Sequence, residues 1–458
     1  MTTTTPPFAE KDNEFIAWYP LTLSTDQVAA LEQPRSAGYY VHIPFCTAIC
    51  DYCGFAVQRL RDGHVDRYVS ALLREIDACA ASGRLSQYRF VCGHFGGGTP
   101  SVLAAATFAR IQSALAQGMD LAPGAEITVE VNPISFDSDK AAAYRDCGVN
   151  RISFGLQSFS DVVLKTIGRP HRATDTLKTL DIIRRGGFIN FSLDLIYGVP
   201  GQTLPMLDED LERAVATGAT HISTFRLEII PFTVLKFRES VGELPPRCPR
   251  SLLDEMDERV ADHLVAAGYR HYGAFNFAKP GYESVHNRIA FMAPQGEYIG
   301  FGNSAYSYFD GHIAYNHHDV DAYVEAVEQG RRPLAKAGRV TALDAMARYF
   351  VLGLKFFEVS RQRFVETFGL APEAVFGETL NTLQARGLLH SQGDMISLTP
   401  LGCRYVNNVA KMFYRGDSVG RSQYSEFVPT VTEHQIAHFS KRLEAKGEAT
   451  RSRLSGLG

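Results

Sequence analysis

The first half of the chain alternates short β-rich runs with longer amphipathic stretches. Six runs of five to seven residues are rich in Val, Ile, Phe and Tyr: Tyr39–Ile43, Arg89–Phe95, Ile127–Val131, Arg151–Gly155, Phe191–Ile196 and His221–Phe225. Between them, apolar residues recur at helical spacing, as in VDRYVSALLREIDACAAS and TDTLKTLDIIRRGG. Strands that alternate with helices form parallel βα units, so this α/β pattern predicts a partial or complete (β/α) barrel. In such barrels the chemistry lies at the carboxyl ends of the strands.

The pattern changes after about residue 310, where helical segments such as ALDAMARYFVLGLKFF follow one another. The segment TLNTLQARGLLHSQGDMISLTPLG predicts a helix, a turn and a short strand pair, as in a small winged-helix unit. Because it has no concentrated Arg/Lys face, a packing domain over the barrel mouth explains it at least as well as DNA binding. We predict an N-terminal arm over residues 1–37, a barrel domain over 38–310 and a mainly helical covering domain over 311–458.

Composition and charge narrow the class of protein. With 458 residues, of which 45% are hydrophobic and 21% charged, the chain can bury a large core in more than one domain. A formal net charge of −4 gives no general attraction to nucleic acid or to anionic lipid, so neither is an expected partner. The start lacks a basic region followed by an apolar stretch, and no run of eighteen apolar residues occurs, which predicts a cytoplasmic protein.

Three of the eight cysteines lie together, in YYVHIPFCTAICDYCGF. Cys46, Cys50 and Cys53 are separated by three and then two residues, directly after the first predicted strand. In a reduced compartment such a group indicates a metal site more than a disulfide. Three thiolates on a four-iron cluster leave one iron open to a small molecule. The alternative is a structural zinc site with His42 as the fourth ligand. The other five cysteines occur singly in mixed or apolar segments.

Glycines and polar residues follow the predicted strands. Gly96-Gly97-Gly98-Thr99-Pro100 follows the second strand and removes three side chains there, so that backbone can approach a ligand. Later strand ends deliver five more candidates: Glu130, Gln157, Arg169, Asp194 and Ile196. For any one of them alone, a capping or salt-bridge role is the default expectation. Their common place at the barrel mouth favours a ligand site.

The three-cysteine loop resembles the signature of the radical S-adenosylmethionine (SAM) superfamily, and HIPFC is similar to its oxygen-independent coproporphyrinogen III oxidase branch. The resemblance implies a partial (β/α)6 radical SAM barrel and a [4Fe–4S] cluster on Cys46, Cys50 and Cys53. It further implies that Tyr40 and Tyr52 flank the cluster, and that the turn with Gly97, Gly98 and Thr99 holds the amino end of SAM. By the same resemblance, the SAM ribose and carboxylate contact Glu130, Gln157, Arg169 and Asp194, and adenine packs on Ile196. A flavodoxin or ferredoxin is the implied electron donor.

Three subgroups share this branch: the decarboxylating oxidase, heme chaperones, and methyltransferases or cyclopropanases that bind two SAM molecules. Phe55 stands where the oxidase carries a fourth cysteine, which weakens that assignment. NFAKPG followed by HN is similar to the chaperones and methyltransferases. Because the arm and the long C-terminal domain exceed a typical chaperone, the resemblance favours a methyltransferase.

The expected reaction is C-methylation, or cyclopropanation, of an sp² carbon in an aromatic or tetrapyrrole-like small molecule. A second SAM would lie near Gly98, Thr99, Glu228, Phe291 and Tyr306. We expect Tyr40 and Glu228 to take part in catalysis, with Glu228 as a base. The alternative role for Glu228 is a partner for Arg226 or another buried cation. The alternative functions are decarboxylation of coproporphyrinogen III and heme chaperoning.

Overall fold

The computed structural model describes Tyr19 and residues 35–61, 63–231, 233–291 and 296–415. Most of the predicted arm over residues 1–37, including all of its aromatic segment FIAWYP except Tyr19, lies outside the described residues. So do residues 416–458 of the predicted covering domain.

The strands account for most of the framework of the fold. In chain order they are β1 (Arg35–Ile43), β2 (Phe45–Cys46), β3 (Gln58–Arg59), β4 (Tyr88–Gly97), β5 (Asp120–Val131), β6 (Arg151–Gln157), β7 (Asn190–Tyr197), β8 (His221–Arg226), β9 (Arg270–Gly273), β10 (Asn276–Ala278), β11 (Glu297–Phe301), β12 (Tyr306–Phe309), β13 (His312–Asn316), β14 (Leu334–Arg339), β15 (Glu358–Ser360), β16 (Leu389–Gln392) and β17 (Met395–Leu398). Twelve of them form one sheet in the order β14-β13-β12-β11-β1-β4-β5-β6-β7-β8-β10-β9.

Helices connect the parallel strands and make up most of the C-terminal region. In chain order they are α1 (His64–Ala81), α2 (Ala105–Gly118), α3 (Ser138–Asp146), α4 (Asp161–Thr166), α5 (Ala173–Arg185), α6 (Leu204–Ala216), α7 (Val234–Ser240), α8 (Arg250–Ala266), α9 (Val285–Phe291), α10 (Val320–Glu328), α11 (Ala342–Gly353), α12 (Arg361–Phe368), α13 (Pro372–Ala385), α14 (Pro400–Arg404) and α15 (Val406–Lys411). None of the helices within the described residues has both the length and the apolar character of a bilayer-spanning segment.

The six predicted strands are confirmed as β1, β4, β5, β6, β7 and β8. They pair in parallel in that order, which forms the predicted partial barrel. The strands are nearly continuous apolar runs because helices cover the sheet, and Ile152, Phe154 and Leu193 are fully buried. All six carboxyl ends therefore lie at one end of the barrel, where the polar candidates follow them.

The amphipathic helices pack as their spacing predicts. In α1 the buried residues are Tyr68, Val69, Ala71, Leu72 and Ile76, which recur every three or four positions. This face lies against the barrel core, and the helix also contacts α2 and α10. Burial of each such Leu or Ile side chain contributes roughly 1.5–3 kcal/mol.

The large sheet extends further than the pattern predicts. β11 pairs in parallel with β1, and β12, β13 and β14 follow as antiparallel strands to Arg339. The sequence pattern missed them because they are short, and LAKAGR in β14 lacks an apolar alternation. The sheet therefore continues past residue 310, whereas the division into arm, barrel and covering domain stays a prediction.

The C-terminal helices form a second core. Fully buried Phe350, Phe364 and Leu383 pack there with Tyr19 from the N-terminal segment. α12 and α13 precede the hairpin β16–β17, whose second strand also pairs with β15. The predicted helix, turn and strand pair are thus confirmed.

Candidate cluster and SAM site

The three neighbouring cysteines lie on a loop at the carboxyl end of β1. The loop begins at Cys46 on β2 and returns to β3, which pairs with β2 in parallel. Cys46 is buried, whereas Cys50 and Cys53 are partly exposed. The Cys53 N–H donates to the Cys50 carbonyl at 3.1 Å, which turns the chain between these two thiols.

Asp51 fixes this loop to the barrel. Its carboxylate accepts from Arg238 of α7 at 2.5 Å, and Arg238 also donates to the Thr166 carbonyl at 2.9 Å. The Asp51 backbone donates to the Ile167 carbonyl and accepts from the Leu235 N–H. Cys50 is thus held by contacts with two helices. Sequence reasoning missed Asp51 and Arg238, and the only available signal was a carboxylate between two candidate site residues.

Arg169 contacts the cysteine loop directly. Its Nη1 donates to Cys50 Sγ at 3.2 Å, and its Nη2 donates to the Gly155 carbonyl. Burial raises the pKa of Cys46 to about 11 and that of Cys53 further above its usual range. Without a bound cation these thiols are therefore neutral, and a metal centre must displace their protons.

The donor set fits an iron–sulfur cluster better than zinc. The Ala56 carbonyl can only accept, so His42 Nε2 donates to it at 2.9 Å, and His42 Nδ1 then accepts from the Tyr40 hydroxyl at 3.1 Å. Both ring nitrogens of the proposed fourth zinc ligand are thus engaged. In the described parts of the chain, no three Cys, His, Asp or Glu side chains converge on a single ion. Three thiols spread over one loop suit a larger, four-iron centre.

The glycine turn after β4 lies against the start of the cysteine loop. Gly97 has φ +109°, and a Cβ there would lie 2.6 Å from His42 Cε1. A Cβ on Gly98 would lie 2.7 Å from the Pro44 carbonyl carbon, and the Gly98 N–H donates to the Ile43 carbonyl at 2.8 Å. Glycine is therefore required at both positions because the turn packs closely on the chain after β1. The expected approach of a ligand would be a second reason. The turn places Thr99 Oγ1 3.4 Å from Cys46 Sγ.

Two predicted carboxylates lie close together inside the barrel mouth. Glu130 Oε1 lies 2.9 Å from His94 Nε2 and also accepts from the Gly97 N–H. Burial raises the pKa of Glu130. Burial, and then the charge of Glu130, raises the pKa of Asp194 to about 7. Such a pair favours a ligand that brings hydroxyl or ammonium donors, which is what SAM offers.

The remaining predicted SAM contacts divide into polar and apolar residues. Gln157 is buried at the end of β6 with φ 71°, a conformation that costs energy in a non-glycine residue and is common at functional sites. Ile196 packs with Val163 and Val199, and Tyr52 lies against this cluster. An apolar surface beside the cysteine loop is available for an adenine ring.

Tyr40 joins a stack of rings that sequence reasoning missed. It lies 6.0 Å from His94 and 6.3 Å from His286 between ring centroids, and the two histidines stack at 4.6 Å. Burial lowers the pKa of His94 to about 3 and that of His286 well below its usual range, so both are neutral. The only sequence signal was the position of His94, two residues before the glycine turn.

Of the residues expected near a second SAM, Glu228 and Phe291 both act on or lie near Lys355, whereas Tyr306 belongs to another cluster. Glu228 is exposed after β8, and its charge acts on the buried Lys355. Arg226 pairs with Asp257 at 3.2 Å. Lys355 is thus one buried cation on which Glu228 acts, and a pairing of Glu228 with Arg226 stays a prediction. A catalytic role for Glu228 stays a prediction.

Phe291 and Tyr306 belong to different clusters. The Phe291 ring lies 5.2 Å from Lys355 Nζ and packs against the C-terminal core. Tyr306 is buried with Tyr298 and Tyr308, and its hydroxyl accepts from Arg348 at 3.1 Å. The described contacts do not bring these two residues to one ligand.

Comparisons with known proteins agree with this geometry. A profile of the radical SAM superfamily matches residues 40–214, and a profile of the HemN C-terminal domain matches residues 340–405. The heme chaperone HemW of Bacillus subtilis (strain 168) is 34% identical over 382 residues, which cover 82% of this chain and 98% of that protein. An oxygen-independent coproporphyrinogen III oxidase of Synechocystis is 29% identical, over 90% of this chain and 91% of that protein. The structure of coproporphyrinogen III oxidase (HemN) from Escherichia coli matches with a TM-score of 0.74 and 27% identity, over 83% of this chain and 91% of that one.

The barrel and its cysteine loop define a radical SAM enzyme. Within that class, the chain belongs to the HemN family of oxygen-independent coproporphyrinogen III oxidases and HemW heme chaperones. Membership implies a [4Fe–4S] cluster and SAM; when bound, the cluster supplies the electron that cleaves SAM to a 5′-deoxyadenosyl radical. The relatives named here do not support the expected C-methylation, and a second SAM is not shown.

Proposed function

We propose that this protein is a radical SAM heme chaperone, which binds heme beside its cluster and SAM site. The observation that carries the proposal is the alignment with HemW of Bacillus subtilis over 98% of that protein. HemW of Lactococcus lactis and of Escherichia coli are each 33% identical, over 99% and 97% of their lengths. This proposal replaces the methyltransferase hypothesis, which rested on the N-terminal arm and the long C-terminal domain.

The cysteine loop supports a chaperone over a decarboxylating oxidase. Phe55, at the position of the oxidase's fourth cysteine, is 69% exposed, so the loop offers three thiols and an apolar ring. Phe225 at the end of β8 is also exposed and stacks on Phe275 at 5.6 Å. Exposed aromatic rings at a barrel mouth suit a flat, apolar ligand such as heme.

The ring stack beside Tyr40 supplies a candidate for the heme ligand. Histidine is a common axial ligand of heme iron and must be neutral to bind it. Nδ1 of His94 and Nδ1 of His286 are both buried without a hydrogen-bond partner. His94 Nε2, however, is engaged with Glu130, whereas the His286 ring makes no hydrogen bond with the described residues. His286 is therefore the better candidate of the two.

The test is anaerobic reconstitution with iron and sulfide, then titration with hemin and product analysis with SAM. A chaperone binds hemin with a Soret band shift, forms 5′-deoxyadenosine slowly and yields no S-adenosylhomocysteine. His286→Ala should shift that band, whereas His312→Ala, at the exposed start of β13, should not. S-adenosylhomocysteine with a methylated product would instead establish the methyltransferase.

The second candidate is oxidative decarboxylation of coproporphyrinogen III. The match to the HemN structure over 83% of this chain favours it. Carbon dioxide release from coproporphyrinogen III, dependent on SAM and an electron donor such as flavodoxin or ferredoxin, would establish this activity. Its absence together with stable heme binding supports the chaperone.

A further inference from the structure

Arg348 of α11 is the largest side chain that the described part of the chain buries completely. Its Nη1 donates to the Tyr306 hydroxyl at 3.1 Å and to the Tyr19 carbonyl at 2.6 Å. Its guanidinium carbon lies 4.1 Å from the centroid of the Tyr308 ring. One end and one face of the guanidinium are therefore satisfied by the protein.

The protein does not satisfy the opposite edge of the guanidinium, which carries Nε and Nη2. Nε and Nη2 of Arg348 are buried and have no hydrogen-bond partner among the described residues, where no carboxylate pairs with this arginine. The surrounding tyrosines do not balance its charge, because burial raises the pKa of Tyr298 and Tyr306 and keeps them neutral. A buried charge with two unmade donors is costly, so such an edge calls for a ligand.

Another arginine of this chain shows what the Nε and Nη2 edge of a guanidinium binds. In Arg67, Nε donates to Glu328 Oε1 at 3.0 Å and Nη2 donates to Glu328 Oε2 at 2.7 Å. These two N–H groups are parallel and match the spacing of carboxylate oxygens. Arg348 presents the same pair of donors to a buried environment, where the interaction is stronger than at the surface.

Arg348 also lies at the end of a run of ring contacts that begins at the barrel mouth. The ring centroids of Tyr40 and His286 lie 6.3 Å apart, those of His286 and Tyr298 6.2 Å, and those of Tyr298 and Tyr306 5.5 Å. An aromatic run that ends in a cation suits a conjugated ligand with an acidic arm.

We propose that the Nε and Nη2 edge of Arg348 binds a carboxylate of the ligand that enters from the barrel mouth. The identity of that ligand rests on the proposed function, under which the carboxylate is a propionate of the tetrapyrrole. The amino-acid carboxylate of a second SAM has the same chemistry and is the other source. In either case Arg348 selects an acidic ligand over its neutral analogue.

The test compares hemin with hemin dimethyl ester, which lacks the negative charges, on the reconstituted full-length protein. We expect the wild type to bind hemin at least roughly 100-fold more tightly than the ester, as two charge-assisted hydrogen bonds predict. In Arg348→Met this ratio should fall to about one, and in Arg348→Lys, which keeps the charge without the fork, to an intermediate value. Arg67→Met is the matched control and should keep the wild-type ratio.

The number of SAM molecules bound separates the two sources. If a second SAM supplies the carboxylate, Arg348→Met keeps the hemin-to-ester ratio but lowers SAM binding from two molecules to one. If neither hemin nor its ester binds at all, the chaperone proposal fails while the SAM measurement still tests Arg348.

A purely structural Arg348 would give a different pattern. Its substitution would lower the melting temperature and leave both the ratio and the SAM count unchanged, which overturns the proposal. Should Arg348→Met fail to fold, Arg348→Lys provides the comparison. A wild type that binds hemin and ester equally and takes up one SAM overturns the proposal without any variant.

Discussion

The cysteine loop and the tyrosine cluster, formed by Tyr298, Tyr306 and Tyr308 around Arg348, differ in how their charged groups are paired. At the loop, Asp51 is paired with Arg238, and Arg169 with Cys50 and a backbone carbonyl, although Nε of each of these two arginines is buried without a hydrogen-bond partner. In the tyrosine cluster, Arg348 keeps two buried donors without a described partner. The loop arginines are thus held by an ion pair, a thiol and backbone carbonyls and each leave one donor unpaired, whereas Arg348 leaves two, which we propose that a ligand completes.

This difference matches the roles of the two regions. A cluster and SAM are common to the whole superfamily, so the loop benefits from being positioned before they bind. Substrates vary within the family, and a buried group that lacks its partner discriminates strongly between ligands that supply it and ligands that do not. The cysteine loop therefore serves radical formation, and the tyrosine cluster around Arg348 serves, under our proposal, the choice of ligand.

The largest expected effect is that of Cys50→Ala at the cysteine loop. Loss of one thiolate leaves two ligands for a four-iron centre, so we expect cluster loading and 5′-deoxyadenosine formation to be abolished. Iron and sulfide analysis with mass spectrometry of the nucleoside measures this. Cys147→Ala, a lone and partly buried cysteine after α3, is the control and should retain both. Nucleoside formation by Cys50→Ala, or a single zinc in the wild type, would contradict the cluster assignment.

A smaller loss is expected when the support of the loop is removed. Arg238→Met breaks the contacts to Asp51 and to the Thr166 carbonyl but leaves all three cysteines in place. Residues that orient metal ligands typically change affinity or activity by roughly 10-fold to 100-fold, so faster loss of iron to a chelator is expected on that scale. Arg247→Met, which removes an exposed partner of Glu239, should not change that rate. Equal rates in both variants would show that Asp51 does not position Cys50.

The sequence predicted the part of the site that depends on local order. Except for Arg169, which lies between α4 and α5, each candidate from Cys46 to Ile196 lies in the carboxyl half of a barrel strand or follows that strand. Parallel strands bring their carboxyl ends together whatever lies between them. The placement of Glu130 near Asp194, and of Thr99 near Cys46, follows from that rule alone. The roles of these residues towards SAM stay predictions.

The rest of the site depends on contacts that no spacing encodes. Asp51 meets Arg238, and Tyr19 and Tyr306 meet Arg348, only after the chain has folded. From the sequence, Arg348 is a polar position in the helix ALDAMARYFVLG, where an exposed side chain is expected. Its complete burial results from the tertiary packing. β11 was missed for a similar reason, because its place beside β1 is set by a long-range parallel pairing.

Lys355, which donates to Asn407 and lies over the Phe291 ring, tests whether burial of a charge is costly elsewhere in the C-terminal region. Burial lowers its pKa to about 7, below its unfolded value of 10.5. Between these values the unfolded state binds more protons, so this group makes stability rise with pH from about 7 to about 10.5 and lose that gain as pH falls back to 7. Lys355→Met removes this dependence and should be more stable than the wild type at pH 6 by roughly 1–4 kcal/mol, with the difference shrinking at pH 9.

The measurement is urea unfolding of the apo-protein without oxygen at both pH values. Other titrating groups, including the cysteines, are common to both proteins and cancel in the difference. Lys178→Met removes a lysine whose side chain is 75% exposed and should follow the wild type at both pH values. If the difference between Lys355→Met and the wild type is the same at pH 6 and pH 9, Lys355 is charged throughout, held so by the nearby Glu228.

The smallest effect is expected at Phe55, which lies on the cysteine loop but is exposed and, under the proposed function, contacts the heme. With 69% of its surface exposed, Phe55→Ala should change the free energy of unfolding by no more than about 0.5 kcal/mol. Cluster content and 5′-deoxyadenosine formation should also be unchanged, since all three thiols remain. Hemin affinity should fall by a few-fold, because one stacking surface is lost. A large loss of iron in this variant would instead show that Phe55 helps to hold the cluster. Radical formation and ligand choice would then not depend on separate residues.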